Sequence, residues 1–446
     1  MKKILAVLLA AMMTATAFAG CNNGGGQSSG ASGDSSATSG DSSAASGGSS
    51  ELKVDGSFVD ESYFGDEDNI TLKVWAPDKA VSLVKDQVSA FQEHYSGKKM
   101  TIEVVAQGES DAATQVLNDA SVAADVFAFP SDQLNQLVDA KVIAEVAFAD
   151  AVKEQNSEDT VTAATMNGTL FAYPETNDNG YYLVYDNTIV TPEDAKTLEG
   201  VLEACKKGGK DFIMDCGDGF YACTFAFTAG AKIDGLEADG TQKFADYNED
   251  DAVKTIMAFA KLMKDYKGTF KSLNVKQVAS GFTNGTCGAG VDGSWDTEVN
   301  KTALGEKFGA AKLPTISVDG TDKQLVSMFG YKYIGVNGSS KFPAASQILA
   351  LYLSGEECAK QRVESLGWGT SNKAVQESDL VKGNAALNAI KEQAENACVQ
   401  VNIAPTFWQP MGTLGNKIVA DEWDPSDEAK TRKLLQDTIA NVRDEG

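Results

Sequence analysis

An α/β fold in two lobes, each a mostly parallel sheet flanked by helices, is what this sequence predicts. Three observations lead there. Between Asn69 and Val138, short strand-like apolar runs take turns with longer runs at helical spacing. The repeated strand–helix order implies parallel pairing with helices on both faces of a sheet. Roughly 390 residues remain outside the low-complexity start, more than one ordinary core encloses, so two lobes are expected.

The chain opens on Lys2-Lys3 and an apolar run from Ile4 to Ala19. A membrane helix needs ~20 apolar residues, so this run suits a secretory signal over residues 1–20. Phe18-Ala19-Gly20 before Cys21 resembles a bacterial lipoprotein processing site, in which Cys21 becomes the lipid anchor. Gly, Ser, Ala, Thr, Asp, Asn and Gln then dominate to residue 50, and residues 21–65 read as lipidated cysteine plus tether. Such a coil spans roughly 30 Å and has nothing to bury, so it cannot fold alone. The expected location is the extracellular face of the bacterial cell membrane.

Asn69 opens the strand Ile70–Trp75, and the loop Ala76-Pro-Asp-Lys79 follows. Val81, Val84, Val88 and Phe91 recur at helical spacing, with Gly97 as the stop. Met100–Val105 alternates as a strand, and Asp111 to Ala123 reads as a helix. A strand at Asp125–Phe129 leads into a helix through Leu134, Leu137 and Val138. Pro174 to Gly180 is polar and turn-rich, a crossover or hinge. Beyond it come a strand at Tyr181–Asp186, a helix at Leu198–Lys207 ended by Gly208-Gly209, and a strand at Phe212–Asp215. Asp251 to Tyr266 is a strongly periodic helix.

Composition narrows the function. The formal charge is −25, and loss of Lys2 and Lys3 with the leader takes it to −27. An acidic surface without a Lys/Arg cluster argues against nucleic acid and against docking on anionic lipid. Cys205, Cys216, Cys223, Cys287, Cys358 and Cys398 form no CxxC pair, and with a single histidine a zinc site is not expected. Cys216 and Cys223 read as buried small hydrophobes rather than a bridge. His94 sits at a solvated helix end and reads as structural, which leaves a Ser-His-Asp or Cys-His nucleophile without its base. No metal or cofactor is expected.

Ligands of parallel sheets bind beyond the strands' carboxyl ends. Two loops lie there, Pro77-Asp78-Lys79 and Phe129-Pro-Ser-Asp-Gln133. An aromatic beside carboxylate and amide groups suits a sugar. Equally, Asp132 fits a helix cap and Phe129 a core position, and the loop alone leaves both readings open.

From about Asn69 to Glu422 the order of motifs resembles the bacterial extracellular solute-binding proteins of the maltose/maltodextrin-binding type. Asp125-Val-Phe-Ala-Phe129, Leu137-Val-Asp-Ala-Lys-Val-Ile-Ala-Glu145, Asn167-Gly-Thr-Leu-Phe-Ala-Tyr-Pro174 and Tyr182-Leu-Val-Tyr-Asp-Asn187 carry the likeness. The most specific pieces are Phe282-Thr-Asn-Gly-Thr-Cys-Gly-Ala-Gly-Val-Asp-Gly-Ser-Trp295 and Val401-Asn-Ile-Ala-Pro-Thr-Phe-Trp408. The resemblance implies a two-lobed Venus-flytrap receptor of an ABC sugar importer. Its lobes would be residues 66–178 plus 331–366 and 179–328 plus 372–446, hinged near 174–180, 328–331 and 367–370.

Carried over by position, the resemblance puts Asp78, Lys79, Phe129, Asp132, Asn179, Asp218, Phe220, Trp295 and Trp408 at the cleft, with Asp178 the rival to Asn179. The sequence departs where family members have Trp at Phe129, Arg at Gln133, Tyr at Gln409 and Arg near Gly412. The implied ligand is an oligosaccharide, malto-oligosaccharides first and cello- or xylo-oligosaccharides as rivals. The implied partners are membrane permease subunits, for a monomeric binding protein rather than an enzyme. A secreted glycosidase needs two carboxylates ~5 to 9.5 Å apart, and no motif marks such a pair. A surface carbohydrate-binding adhesin is the remaining alternative.

Overall fold

The computed structural model describes residues 58–247, 249–420 and 423–444. The expected leader and Cys21 anchor, and the expected tether as far as residue 57, lie outside the described residues; the remainder of that expected tether, 58–65, instead packs Val59 and Phe64 into a core. Ten strands share one sheet: β1 Ile70–Ala76, β2 Met100–Ala106, β3 Val126–Pro130, β4 Tyr173–Asp186, β5 Asp211–Met214, β6 Phe270–Ser272, β7 Cys287–Gly293, β8 Phe308–Ala311, β9 Ser327–Val336 and β10 Ala397–Val399. Their order is β6-β5-β7-β4-β9-β3-β1-β2, with β8 on β4 and β10 on β9. β1 pairs in parallel with β2 and β3, as the strand–helix alternation requires. In the second lobe β5 pairs in parallel with β6 and β7.

Two large cores flank this sheet. One gathers residues from β1–β3 and the helices around them; the other gathers β4, β5, β7 and the helices of the later chain. The two strands that join them are β4 and β9, which pair antiparallel from Tyr173↔Ile334 at one end to Gly180↔Phe329 at the other. Register shifts on either side of Lys332 bend the ladder there. The polar stretch 174–180, read from sequence as a turn-rich crossover or hinge, passes between the two cores. It runs as continuous strand, and all of it but Asn177 is buried. Residues 328–331 likewise lie inside β9.

Local signals set most helix ends. Thr197 Oγ1 accepts the Gly200 N–H at 3.0 Å and opens the helix Leu198–Lys207. The periodic stretch near 251–266 is the helix Asp250–Asp265. The helix Val81–His94 ends before Gly97, because Tyr95 turns inward and its hydroxyl bonds the Val59 backbone N and O at 2.9 Å each. The helix expected to run to Ala123 is Glu109–Asn118 instead. Asp119 stops it in extended conformation, taking the Ser121 N–H and hydroxyl. His94 is exposed and stacks on Phe58 with ring centroids 3.7 Å apart.

The six cysteines of the described residues are free thiols, and Cys216 and Cys223 are both buried without a bridge. Burial pushes the thiols of Cys205, Cys216 and Cys358 up to about 12. They behave as small core residues.

The helix Trp408–Val419 presents Gly412 and Gly415 to the loop at Cys216–Gly219, so close that a methyl group at Gly415 would collide with the Cys216 carbonyl oxygen. Ala gains about 1 kcal/mol over Gly in a helix, but forcing backbone apart costs about 1–3 kcal/mol. Because the obstacle is backbone and cannot rotate away, Gly415→Ala should be net destabilising. A lowered urea midpoint at unchanged slope checks this.

Candidate functional site

A cleft of about 980 Å³ opens between the two cores. Its second-lobe wall is aromatic. Phe220 stands between Trp295 and Trp408, with centroid distances of 5.8 and 6.4 Å, and all three rings are half-buried. Trp295 lies in the short turn Ser294–Asp296 that follows β7. Its indole folds back over Gly293, where any side chain would strike the ring. Trp408 begins its helix, and Phe220 occupies the first turn of the helix Gly219–Thr228, which Asp218 caps through the Phe220 N–H at 2.9 Å.

The floor is a polar relay. Asn179 Nδ2 donates to Gln400 Oε1 at 2.7 Å, and Gln400 Nε2 donates to Asp132 Oδ1 at 3.0 Å. Ser131 Oγ secures the same segment by donating to the Gln400 carbonyl at 2.6 Å. Asp132 thus makes no cap bond to the helix after it. Asp178, the rival, is turned away; its carboxylate accepts the Gly369 N–H at 2.5 Å. At the rim, Lys79 reaches across the cleft to the Trp295 carbonyl at 3.2 Å and to the Asp296 carboxylate.

Of the residues named from sequence, Asp78, Lys79, Asp132, Asn179, Asp218, Phe220, Trp295 and Trp408 line this cleft, and Phe129 does not. Phe129 has no exposed surface and packs on Phe127 and Tyr333, at 5.5 and 5.9 Å. The reason is the pleat. Phe127 and Phe129 sit two apart on β3 and so share its core-facing side.

Glu109, Lys332, Trp368 and Gln400 are among the cleft residues that escaped the sequence reading. Lys332 carried a usable signal, a lysine within the apolar run of β9, where an unpaired ammonium is not tolerated. Its partner is Glu109, with Nζ to Oε2 at 2.8 Å. Gln400 carried none, since it is brought to the floor by β10 pairing with β9.

Burial sets the electrostatics. It pushes the Asp132 carboxyl up to about 7. Asp292, buried beside Asn300 Nδ2 and its neighbour's N–H, both at 2.7 Å, is raised by burial and then by the Asp296 charge. Glu175 is also raised by burial, against the pull of Arg362. Lys332 is held above the usual lysine value although burial opposes it, because Glu109, Asp178 and Glu175 surround it. The arrangement offers flat apolar faces on one wall and mixed donors and acceptors on the other.

Residues 86–389 match the family model described as bacterial extracellular solute-binding protein. This chain belongs to that family. A galactooligosaccharide-binding protein of Bacillus subtilis (strain 168) is 25% identical over 368 residues, 79% of this chain and 86% of its own length. The solved maltodextrin-binding protein of L. casei BL23 aligns with a TM-score of 0.71 at 24% identity, covering 84% of this chain and 98% of its own. The maltose-maltodextrin binding protein of Alicyclobacillus acidocaldarius gives 0.69 at 20%, covering 83% and 99%. These two show the fold, the two-lobed solute-binding architecture with sheets flanked by helices.

The raised Asp132 carboxyl has a measurable consequence. An unfolded aspartate titrates near about 3.9, so between there and about 7 the folded family member holds a proton that the unfolded chain has lost. The contribution of Asp132 to stability therefore falls as pH rises through that window. Melting at pH 5 and pH 8 should show a smaller difference in Asp132→Asn than in wild type. Equal differences would mean that Asp132 titrates normally.

Proposed function

We propose that the chain is the extracellular receptor of an ABC importer for neutral oligosaccharides, captured between its lobes and handed to membrane permease subunits. The observation that carries this is the row Trp295–Phe220–Trp408 facing the Asn179–Gln400–Asp132 relay. A sugar ring has an apolar C–H face for the first and hydroxyls that both donate and accept for the second. A cleft near 980 Å³ stands at the upper end of small-molecule sites, in keeping with several sugar units.

Malto-oligosaccharides are the first reading, supported by the motif order and by solved relatives named for maltodextrin. Galacto-oligosaccharides are the second, favoured by the Bacillus subtilis relative; cello- and xylo-oligosaccharides remain rivals on the departures noted above. Asp78 and Asp218 at the two rims complete the ligand set. Binding energy must favour the closed arrangement over the open one, since equal affinity for both would shift nothing. The protein works as a monomer, held at the membrane by lipid on Cys21. It releases its sugar unaltered rather than hydrolysing it.

Titration calorimetry with maltotetraose tests the site. Trp295→Ala and Trp408→Ala should each weaken binding by about 1–3 kcal/mol, the scale of a large apolar face, with little change in melting for Trp408→Ala and a modest fall for Trp295→Ala, whose ring also packs on both cores. Normal binding with a much lower melting temperature would make the rings core residues. Recovered maltotetraose should be intact after long incubation; shorter products lost in Asp132→Asn would favour the glycosidase.

The anchor is tested separately. Cys21→Ala should leave sugar affinity unchanged while the protein leaves the lipid-modified membrane fraction. Retention there at wild-type level would remove the lipoprotein assignment.

A further inference from the structure

The first-lobe wall of the cleft carries two acceptors that the site's own network leaves over. Glu109 Oε1 and Gln133 Oε1 are shut off from solvent and have no hydrogen-bond partner among the described residues. Both side chains line the cleft, and Gln133 is 8% exposed. They are neighbours, because Gln133 Nε2 donates to the Ser110 carbonyl at 2.6 Å. That bond fixes which end of the amide is spent and leaves the oxygen as the free end.

Beside them lies an ammonium with hydrogens to spare. Lys332 Nζ gives one bond to Glu109 Oε2 at 2.8 Å, in a pair whose side chains are 5% and 14% exposed. The ammonium also lies 4.6 Å from the Trp368 ring centroid and 5.4 Å from that of Trp295, which line the same cleft. An ammonium has three donors. Glu109 uses one.

We infer that Glu109, Gln133 and Lys332 form a hydroxyl-reading subsite that selects sugars presenting two free neighbouring hydroxyls to this wall. The inference rests on the oligosaccharide reading of the cleft and narrows it. One ring hydroxyl donates to Glu109 Oε1 and accepts from Lys332 Nζ. The adjacent hydroxyl donates to Gln133 Oε1. A hydroxyl suits the place because it donates and accepts at once, whereas an ether or a deoxy carbon leaves a buried acceptor unpaired. A carboxylate-bearing sugar gains nothing here, since Glu109 already neutralises Lys332 and would repel it. The subsite thus reads the hydroxyl pattern of a neutral ring, which the aromatic wall opposite cannot do, as stacking takes any apolar face.

The test begins with calorimetry of the wild-type protein on maltotriose, galactotriose, cellotriose and xylotriose. The tightest is then compared with its monodeoxy analogues in wild type, Glu109→Gln and Gln133→Leu, all checked for unchanged circular dichroism. Wild type should lose roughly 10- to 100-fold on at least one analogue, the scale of a hydrogen bond to a charged group. Glu109→Gln or Gln133→Leu should bind that analogue and its parent within about twofold, the usual limit of additivity. If both variants keep the wild-type discrimination, the subsite assignment fails and the oligosaccharide reading stands. If wild type binds none of the four sugars, that reading fails and takes the subsite with it.

Discussion

The backbone ladder between β4 and β9 is the constraint on which the rest depends. Both strands leave one core and enter the other, and their backbones pair on each side of the register shifts at Lys332, where the Tyr331 N–H turns to Ser131 Oγ instead. Buried N–H and C=O groups must be paired, so a seam made of loop would need other partners for them. A ladder supplies them and fixes how the two walls face each other. The register shifts flanking Lys332 put the bend of that ladder at the cleft floor, where Asn179 and Lys332 point their side chains into the site.

That seam is lined with charge. Glu175 lies 3.5 Å from Arg362, whose Nη1 also donates to the Leu353 carbonyl at 2.8 Å, and Glu109 lies against Lys332. Replacing such pairs by apolar residues is often neutral, whereas removing one partner costs about 3–5 kcal/mol. The pairs therefore specify an arrangement more than they stabilise it. Trp295 reports the same economy of parts: it packs against both cores while its carbonyl receives Lys79 from the opposite rim. A single residue thus serves ligand wall and lobe contact.

Fold class and the order of elements were legible in the sequence because periodicity of 2 and 3.6 is a local property. The helix Leu198–Lys207 and the parallel trio β1–β3 needed nothing else. What misled was polarity. Residues 174–180 look turn-rich by composition, but they run as strand and all but Asn177 are buried. Phe129 failed for a related reason. The loop placed it near the cleft, yet strand parity sends its ring inward beside Phe127. Gln400 is the harder case, since its role comes from a pairing 70 positions apart, Phe329 with Val399, which precedes it. No local pattern encodes that.

The cleft of so acidic a chain might be expected to repel by charge alone, but burial changes its character. Asp132 is pushed up to about 7 and Asp292 upward as well, so burial works against a full negative charge on either carboxyl. Glu109 is neutralised by Lys332, and Asp296 by Lys79. What remains is a surface of rings, amides and paired charges, with Asp78 and Asp218 also on its lining, that offers both donors and acceptors. Desolvating a neutral polyhydroxylated ring against it costs far less than desolvating an ion, and each hydroxyl finds either polarity within reach. Discrimination among such rings then rests on geometry, which a ladder-braced floor is rigid enough to supply.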